Sequence, residues 1–251
     1  MITLRPRASL HHTDGGWFSA YWHFSFDDYE DPENTWFGDL RVFNDDTLIP
    51  GAVWPMHPHR DSEGITYVAE GLFEHADSHG NRGILPPGSI QRATLGSGMQ
   101  HSEGNDWETE PMRFIQMWII PAERGLEPSI EQRSFPEDAR RGRLLPVLVP
   151  PEGYGGPNAP AHPDAVRVHQ DATLYAALLD PGQAVSHRFR AGFMGYLFVV
   201  HGAATVSTDD DSGELFEGGA AKVRDEPRVT IRADDSGAEI LLVETRVDTG
   251  R

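Results

Sequence analysis

Two short stretches of this chain each set a pair of metal-ligating side chains one residue apart. In "PMHPHRDSEGITY" (55–67) they are His57 and His59; in "GSGMQHSEGN" (96–105) they are His101 and Glu103. Side chains alternate along a strand, so each pair projects to one face. Pro58, between the first two, has no N–H for a ladder and suits an edge or irregular strand. If the pairs sit on neighbouring strands and point inward, three imidazoles and one carboxylate meet. That set suits one divalent transition metal, Fe(II), Zn, Ni, Cu or Mn, with positions left for water or substrate. Either pair alone is more often structural. Both together, in a chain without cysteine, point to metal.

The elements that would position these pairs read as strands. Short apolar or alternating runs recur at "DLRVF" (39–43), "ITYVAEG" (65–71), "LFEHAD" (72–77), "SIQRATL" (89–95) and "RFIQMWII" (113–120). Turn signals separate them, among them Asn44-Asp45-Asp46, His79-Gly80-Asn81, Pro86-Pro87-Gly88 and Gly96-Ser97-Gly98. Regularly spaced short strands with Gly/Pro turns predict a β-sandwich or barrel. The charged, proline-marked segment 121–143 has one predicted helical turn around Pro136–Arg141, and 149–164 reads as a loop. Beyond it the β pattern resumes, and "GYLFVVHGAATVS" (195–207) resembles "GITYVAEGLFEHA" (64–76). Each is an apolar strand ending in glycine and followed by another strand, which suggests two copies of one β-fold.

The chain has 251 residues, 26 glycines and 19 prolines, with 38% hydrophobic residues, as a turn-rich β-protein should. Its 39 acidic residues against 21 basic ones give a formal charge of −18, which argues against nucleic acid as a direct partner. Lys222 is the one lysine. A GC-rich genome produces that balance, and so does a high-salt habitat. No apolar run approaches the ~18 residues of a membrane span, and the N-terminus lacks a signal-peptide core. A cytoplasmic protein without a membrane partner is the expectation.

The spacing around the two pairs fits the cupin motifs. "GAVWPMHPHRDSE" supplies Gly51, His57, His59 and Glu63 of the first, whose closing glycine comes one residue late at Gly71. "GSGMQHSEGN" supplies Gly98, His101 and Asn105 of the second, with Gly96 where proline is usual. More specifically, the chain resembles pirin and the bacterial pirin-like proteins. The likeness runs through "HFSFDDYEDP" (23–32), "FGDLRVFNDD" (37–46), "HPHRDSEGITYVAEG" (57–71), "EHADSHGN" (74–81), "GSIQRATLGSGMQHSE" (88–103) and "FIQMWIIP" (114–121).

The resemblance implies an all-β bicupin of two tandem jelly-roll β-barrels. A metal-binding cupin would span 1–125, a linker 126–164, and a C-terminal cupin without a metal site 165–251. One metal, in this family most often iron, would be held by His57, His59, His101 and Glu103. Glu63 would then orient a ligand histidine through its free ring nitrogen. Two functions follow from the likeness. One is a quercetinase-type dioxygenase that opens a small aromatic, flavonol-like substrate, with Glu103 as general base. The alternative is a metal- or redox-sensing adaptor that binds partner proteins.

The remaining histidines are expected to be structural. His23, among aromatics, reads as core, and His75 and His79, flanking a turn, as surface. His187 is a lone ligand type in the C-terminal half, because Phe189 stands at its partner position. The tryptophans read mostly as core, with Trp107 near enough to Glu103 to line a pocket. No P-loop, dinucleotide-binding glycine fingerprint or GxSxG elbow is present.

Overall fold

A computed structural model describes residues 1–156 and 158–247. The described chain is nearly all strand, and its helical pieces are the single turns Arg7–Ser9 and Glu137–Arg140. The second of these starts after Pro136, as predicted, because proline's fixed φ suits a helix entry. No helix among the described residues is long and apolar enough to cross a membrane.

The chain divides into two compact units. The first comprises His11–Phe135 with Val166–Gln170, the second Met1–Leu10, Pro136–Ala165 and Asp171–Arg251. Residues 1–10, expected in the N-terminal domain, therefore belong to the C-terminal unit. There Ile2–Arg5 adds an edge strand beside Ala220–Val223.

In the N-terminal unit a seven-stranded sheet runs Ser129–Ser134, Ser89–Thr94, Glu63–Glu70, Met112–Ile119, Leu40–Leu48, Phe18–Trp22, His11–Asp14. A four-stranded sheet runs Val53–His59, Met99–Asn105, Phe73–Asp77, Arg82–Leu85. Neither closes on itself, so the expected barrel is a two-sheet jelly roll. Val53–His59 is an edge strand, which is where Pro55 and Pro58 can be tolerated. Leu48, Val68, Met112 and Phe114 of the large sheet pack with Phe73 and Leu85 of the small one to form the core. Ser129–Ser134, within the expected linker, is paired to Ser89–Thr94.

The C-terminal unit is organised by two long strands, Phe193–Ser207 and Arg228–Arg246, which pair with each other. Thr173–Leu179 and Ala184–Arg188 flank Arg228–Arg246, while Ala220–Val223 and Ser212–Phe216 flank Phe193–Ser207. "GYLFVVHGAATVS", expected as two strands, is one bent strand. Its break survives as register shifts on either side of His201 and Gly202, where φ is +77°. Val199, Leu197, Val206, Ile231, Ile240 and Leu242 are among the buried residues of this unit's core.

Candidate metal centre

The two predicted pairs lie on adjacent strands. Val53–His59 and Met99–Asn105 run antiparallel, with His101 directly opposite His57 and Met99 opposite His59. One ring nitrogen from each of His57, His59 and His101 lies within 4.8 Å of the other two. Their ring centroids are 4.7 Å apart for His57–His59, 4.6 Å for His57–His101 and 5.2 Å for His59–His101.

The register slips by one residue beyond this point. His101 pairs with His57 but Glu103 with Trp54, so three steps on the edge strand oppose two on its neighbour. This bulge reverses the alternation and turns Trp54 to the same side as His57. The bulge also aims the His57 ring, whose Nδ1 lies 2.8 Å from the Pro55 carbonyl oxygen. A carbonyl only accepts, so Nδ1 carries the proton and the Nε2 lone pair is free to ligate.

His101 is 4% exposed, and neither of its ring nitrogens has a hydrogen-bond partner among the described residues. Leaving a buried polar atom unpaired costs about 1–3 kcal/mol, and a coordinated ion would remove one of the two orphans. Burial and the neighbouring imidazoles lower the His101 pKa to about 3 and that of His59 to about 4. Both rings are therefore neutral, the ligating form, throughout the physiological range. The residues fit a divalent ion on these grounds.

Glu103 is not part of the close group formed by the three imidazoles. It is 5% exposed, and the Gln116 amide donates to both its oxygens, at 3.0 and 3.1 Å. Burial raises its pKa against the opposing pull of that bond. Glu103, the three histidines and Gln116 share one cavity of about 620 Å³. Trp22, Trp54, Trp118, Phe18, Phe26 and Phe114 supply its aromatic walls. Its volume is in the range of small-molecule sites. The Trp118 ring meets His59 edge-on at 4.7 Å.

Several expectations are corrected here. Glu63 does not orient a ligand histidine. It is fully buried, accepts from the Thr94 hydroxyl and the His169 backbone N–H at 2.7 and 2.9 Å, and lies 2.7 Å from His169 Nδ1. Sequence reasoning gave His169 no role, because that partner is 106 residues away. His75 is not a surface residue but fully buried behind the site, its ring 5.7 Å from that of His101. The Gln91 amide donates to its Nδ1 at 3.1 Å, and Nε2 faces Asp77 at 3.5 Å. Strand alternation was its available signal, since Phe73, His75 and Asp77 share one inward face. Trp107 is 40% exposed and does not line the cavity, and Trp36 is also exposed. His23 is core, as expected.

The C-terminal unit places His187 in a charge cluster. Its Nε2 lies 2.8 Å from Glu244, whose other oxygen accepts from Arg190 at 2.8 Å. Arg190 also donates to Asp171 at 2.6 Å. A guanidinium thus neutralises the carboxylates around the lone histidine.

Comparison with known proteins agrees with this architecture. The pirin family model matches residues 4–119, and a model described as the quercetinase C-terminal cupin domain matches 159–245. A quercetin 2,3-dioxygenase of Escherichia coli O157:H7 is 39% identical over 245 residues, covering 97% of this chain and 98% of that protein. A pirin-like protein of Caulobacter vibrioides is 35% identical over 244 residues, covering 97% and 99%. Among solved structures, the bacterial pirin YhhW in complex with nickel(II), from Escherichia coli, superimposes with a TM-score of 0.87 at 35% identity. That match covers 99% of this chain and 100% of YhhW. With both family models in chain order on an all-β bicupin whose N-terminal unit gathers three histidines, this chain belongs to the pirin family.

Proposed function

We propose that this protein is a metal-dependent dioxygenase that opens the ring of a flavonol-like substrate, with His57, His59, His101 and Glu103 holding the ion and iron as its native metal. The observation that carries the reading is the aromatic cavity of about 620 Å³ onto which the three imidazoles open. A closed, fully ligated centre would suit an adaptor; a cavity of substrate size beside the ligands suits turnover. The relatives named quercetin 2,3-dioxygenase support the same reading.

A divalent ion bound here would supply Lewis acidity, lowering the pKa of a phenolic hydroxyl brought to it. The chain's own residues do the rest. The aromatic walls formed by Trp22, Trp54, Trp118 and Phe114 hold a flat ligand and exclude water from it. Glu103 takes the proton of the ligand's hydroxyl onto a carboxylate oxygen, a role suited to a buried carboxylate whose pKa is raised. Gln116 fixes that carboxylate before and after the transfer. Asn105, at the end of the same strand, donates to the Glu110 carbonyl at 2.8 Å and accepts from the Trp107 N–H at 3.0 Å, which ties down the chain beyond Glu103.

The test is aerobic loss of flavonol absorbance together with oxygen uptake, for protein reconstituted with iron, nickel, copper or manganese. At least one form is expected to exceed the same metal free in solution. If none does, the dioxygenase reading fails and the adaptor reading replaces it.

A further inference from the structure

One wall of the cavity carries polar side chains that the proposed chemistry does not use. Leu40–Leu48 and Met112–Ile119 pair so that Asp46 faces Phe114, Asn44 faces Gln116 and Val42 faces Trp118. All six line the cavity, as residues two apart on paired strands should. Asn44 is 3% exposed, and its Oδ1 has no hydrogen-bond partner among the described residues. Asp46 is 5% exposed and lines the same wall two residues along. It sits beside Asp45, which is itself held by Arg113 in a two-pronged pair at 2.7 and 2.9 Å.

Buried polar groups in native proteins are satisfied by protein, ordered water or ligand. Here two neighbouring ones face a space large enough for a ligand, one strand over from Gln116, which in turn donates to Glu103 of the other sheet. The rest of the lining limits what that ligand can be. Asp27, Asp28, Asp46 and Glu103 contribute carboxylates. The one arginine of the lining, Arg41, already donates to the Ser25 and Thr35 carbonyls at 2.6 and 3.0 Å. An anionic ligand meets repulsion there, whereas a neutral one with O–H donors meets acceptors.

Resting on the flavonol reading, we infer that Asn44 and Asp46 form a hydroxyl-binding subsite that selects flat aromatic ligands carrying phenolic donors away from the hydroxyl that an ion held by the histidines would meet. Asn44 accepts through its amide oxygen. Asp46 accepts a phenolic O–H whether its carboxyl is ionised or protonated, so the subsite does not depend on its titration.

The experiment titrates metal-loaded, full-length protein under anaerobic conditions, following tryptophan fluorescence. The two probes are quercetin and 3-hydroxyflavone, which share the chelating hydroxyl and keto pair and differ in the additional hydroxyls. The wild type is expected to bind quercetin about tenfold or more tightly than 3-hydroxyflavone, as one or two net hydrogen bonds provide. Asn44→Leu and Asp46→Leu are each expected to erase most of that preference while leaving 3-hydroxyflavone affinity within about twofold. Equal binding of the two probes by the wild type, a comparison that needs no variant to fold, would overturn the subsite and leave the flavonol reading standing. Folded variants that keep the full preference would also overturn it. If the wild type binds neither probe, the flavonol reading falls and takes the subsite with it.

Discussion

His57 and His59 sit on an edge strand and are half-buried, so their loss should spare the fold. The double variant His57→Ala, His59→Ala is expected to lose stoichiometric metal by elemental analysis while its far-UV circular dichroism stays that of a β-protein. A fully loaded double variant would reject the site. Glu103→Gln keeps a group that can accept from Gln116 but removes the base. It is expected to retain much of the metal and lower flavonol turnover by about 10²–10⁴-fold. The metal-free protein should also show the histidines in its acid stability. In the folded chain burial and the neighbouring imidazoles hold His59 near 4 and His101 near 3, below histidine's ordinary 6.5. As pH falls from about 6.5 toward 4, the unfolded chain takes up protons that the folded chain refuses, so stability falls over that window. Denaturant midpoints measured across it should decline, and the decline should be shallower in the His57→Ala, His59→Ala variant.

At the scale of elements, the turn between Ser89–Thr94 and Met99–Asn105 sets where His101 enters the site. Gly96, standing where the second cupin motif usually has proline, has φ +39°, and a Cβ there would lie 1.9 Å from the Leu126 carbonyl oxygen. Proline holds φ near −65° and cannot adopt this turn. The departure from the motif is thus a local choice of turn, closed by the Ser97 N–H donating to the Leu126 carbonyl at 2.9 Å. Gly96→Ala is expected to destabilise the protein by about 1–3 kcal/mol or more in urea denaturation, from backbone strain and the clash together. The second element that matters is the bulge at Pro55–Met56. It carries Trp54 to the cavity side and places the Pro55 carbonyl on His57.

At the scale of the whole molecule, the two units have the same class of fold and different chemistry. His187 is held by Glu244 and packs against Tyr175 with the rings tilted and their centroids 4.7 Å apart, while Arg190 supplies the positive charge. His187→Ala is expected to leave metal content and turnover nearly unchanged. It should cost about 1–3 kcal/mol of stability, because buried Glu244 loses a partner. Elemental analysis and thermal melting separate the two effects. Metal loss in this variant would contradict the assignment of a single centre to the N-terminal unit.

What the sequence determined by itself was local in origin. Two-residue alternation placed His57 with His59 and His101 with Glu103, and Gly/Pro punctuation marked many of the strand ends, whereas Asn44-Asp45-Asp46, read as a turn, lies inside Leu40–Leu48. The absence of cysteine restricted the ligands to nitrogen and oxygen. The cupin spacing tied the two pairs together. What the tertiary structure decided depended on contacts between residues far apart in the chain. Glu63 lies in the first motif, yet His169 and Thr94 take its carboxylate, a pairing across more than a hundred residues that spacing does not encode. His75 borders a turn and read as surface, but its strand is covered on the inward face and the ring is buried against His101. Asn44, Asp46 and Gln116 read as turn or strand residues of no special chemistry. Only the pairing of Leu40–Leu48 with Met112–Ile119 turns them into one cavity wall, because a strand's period says which residues share a face and not which face the fold will bury.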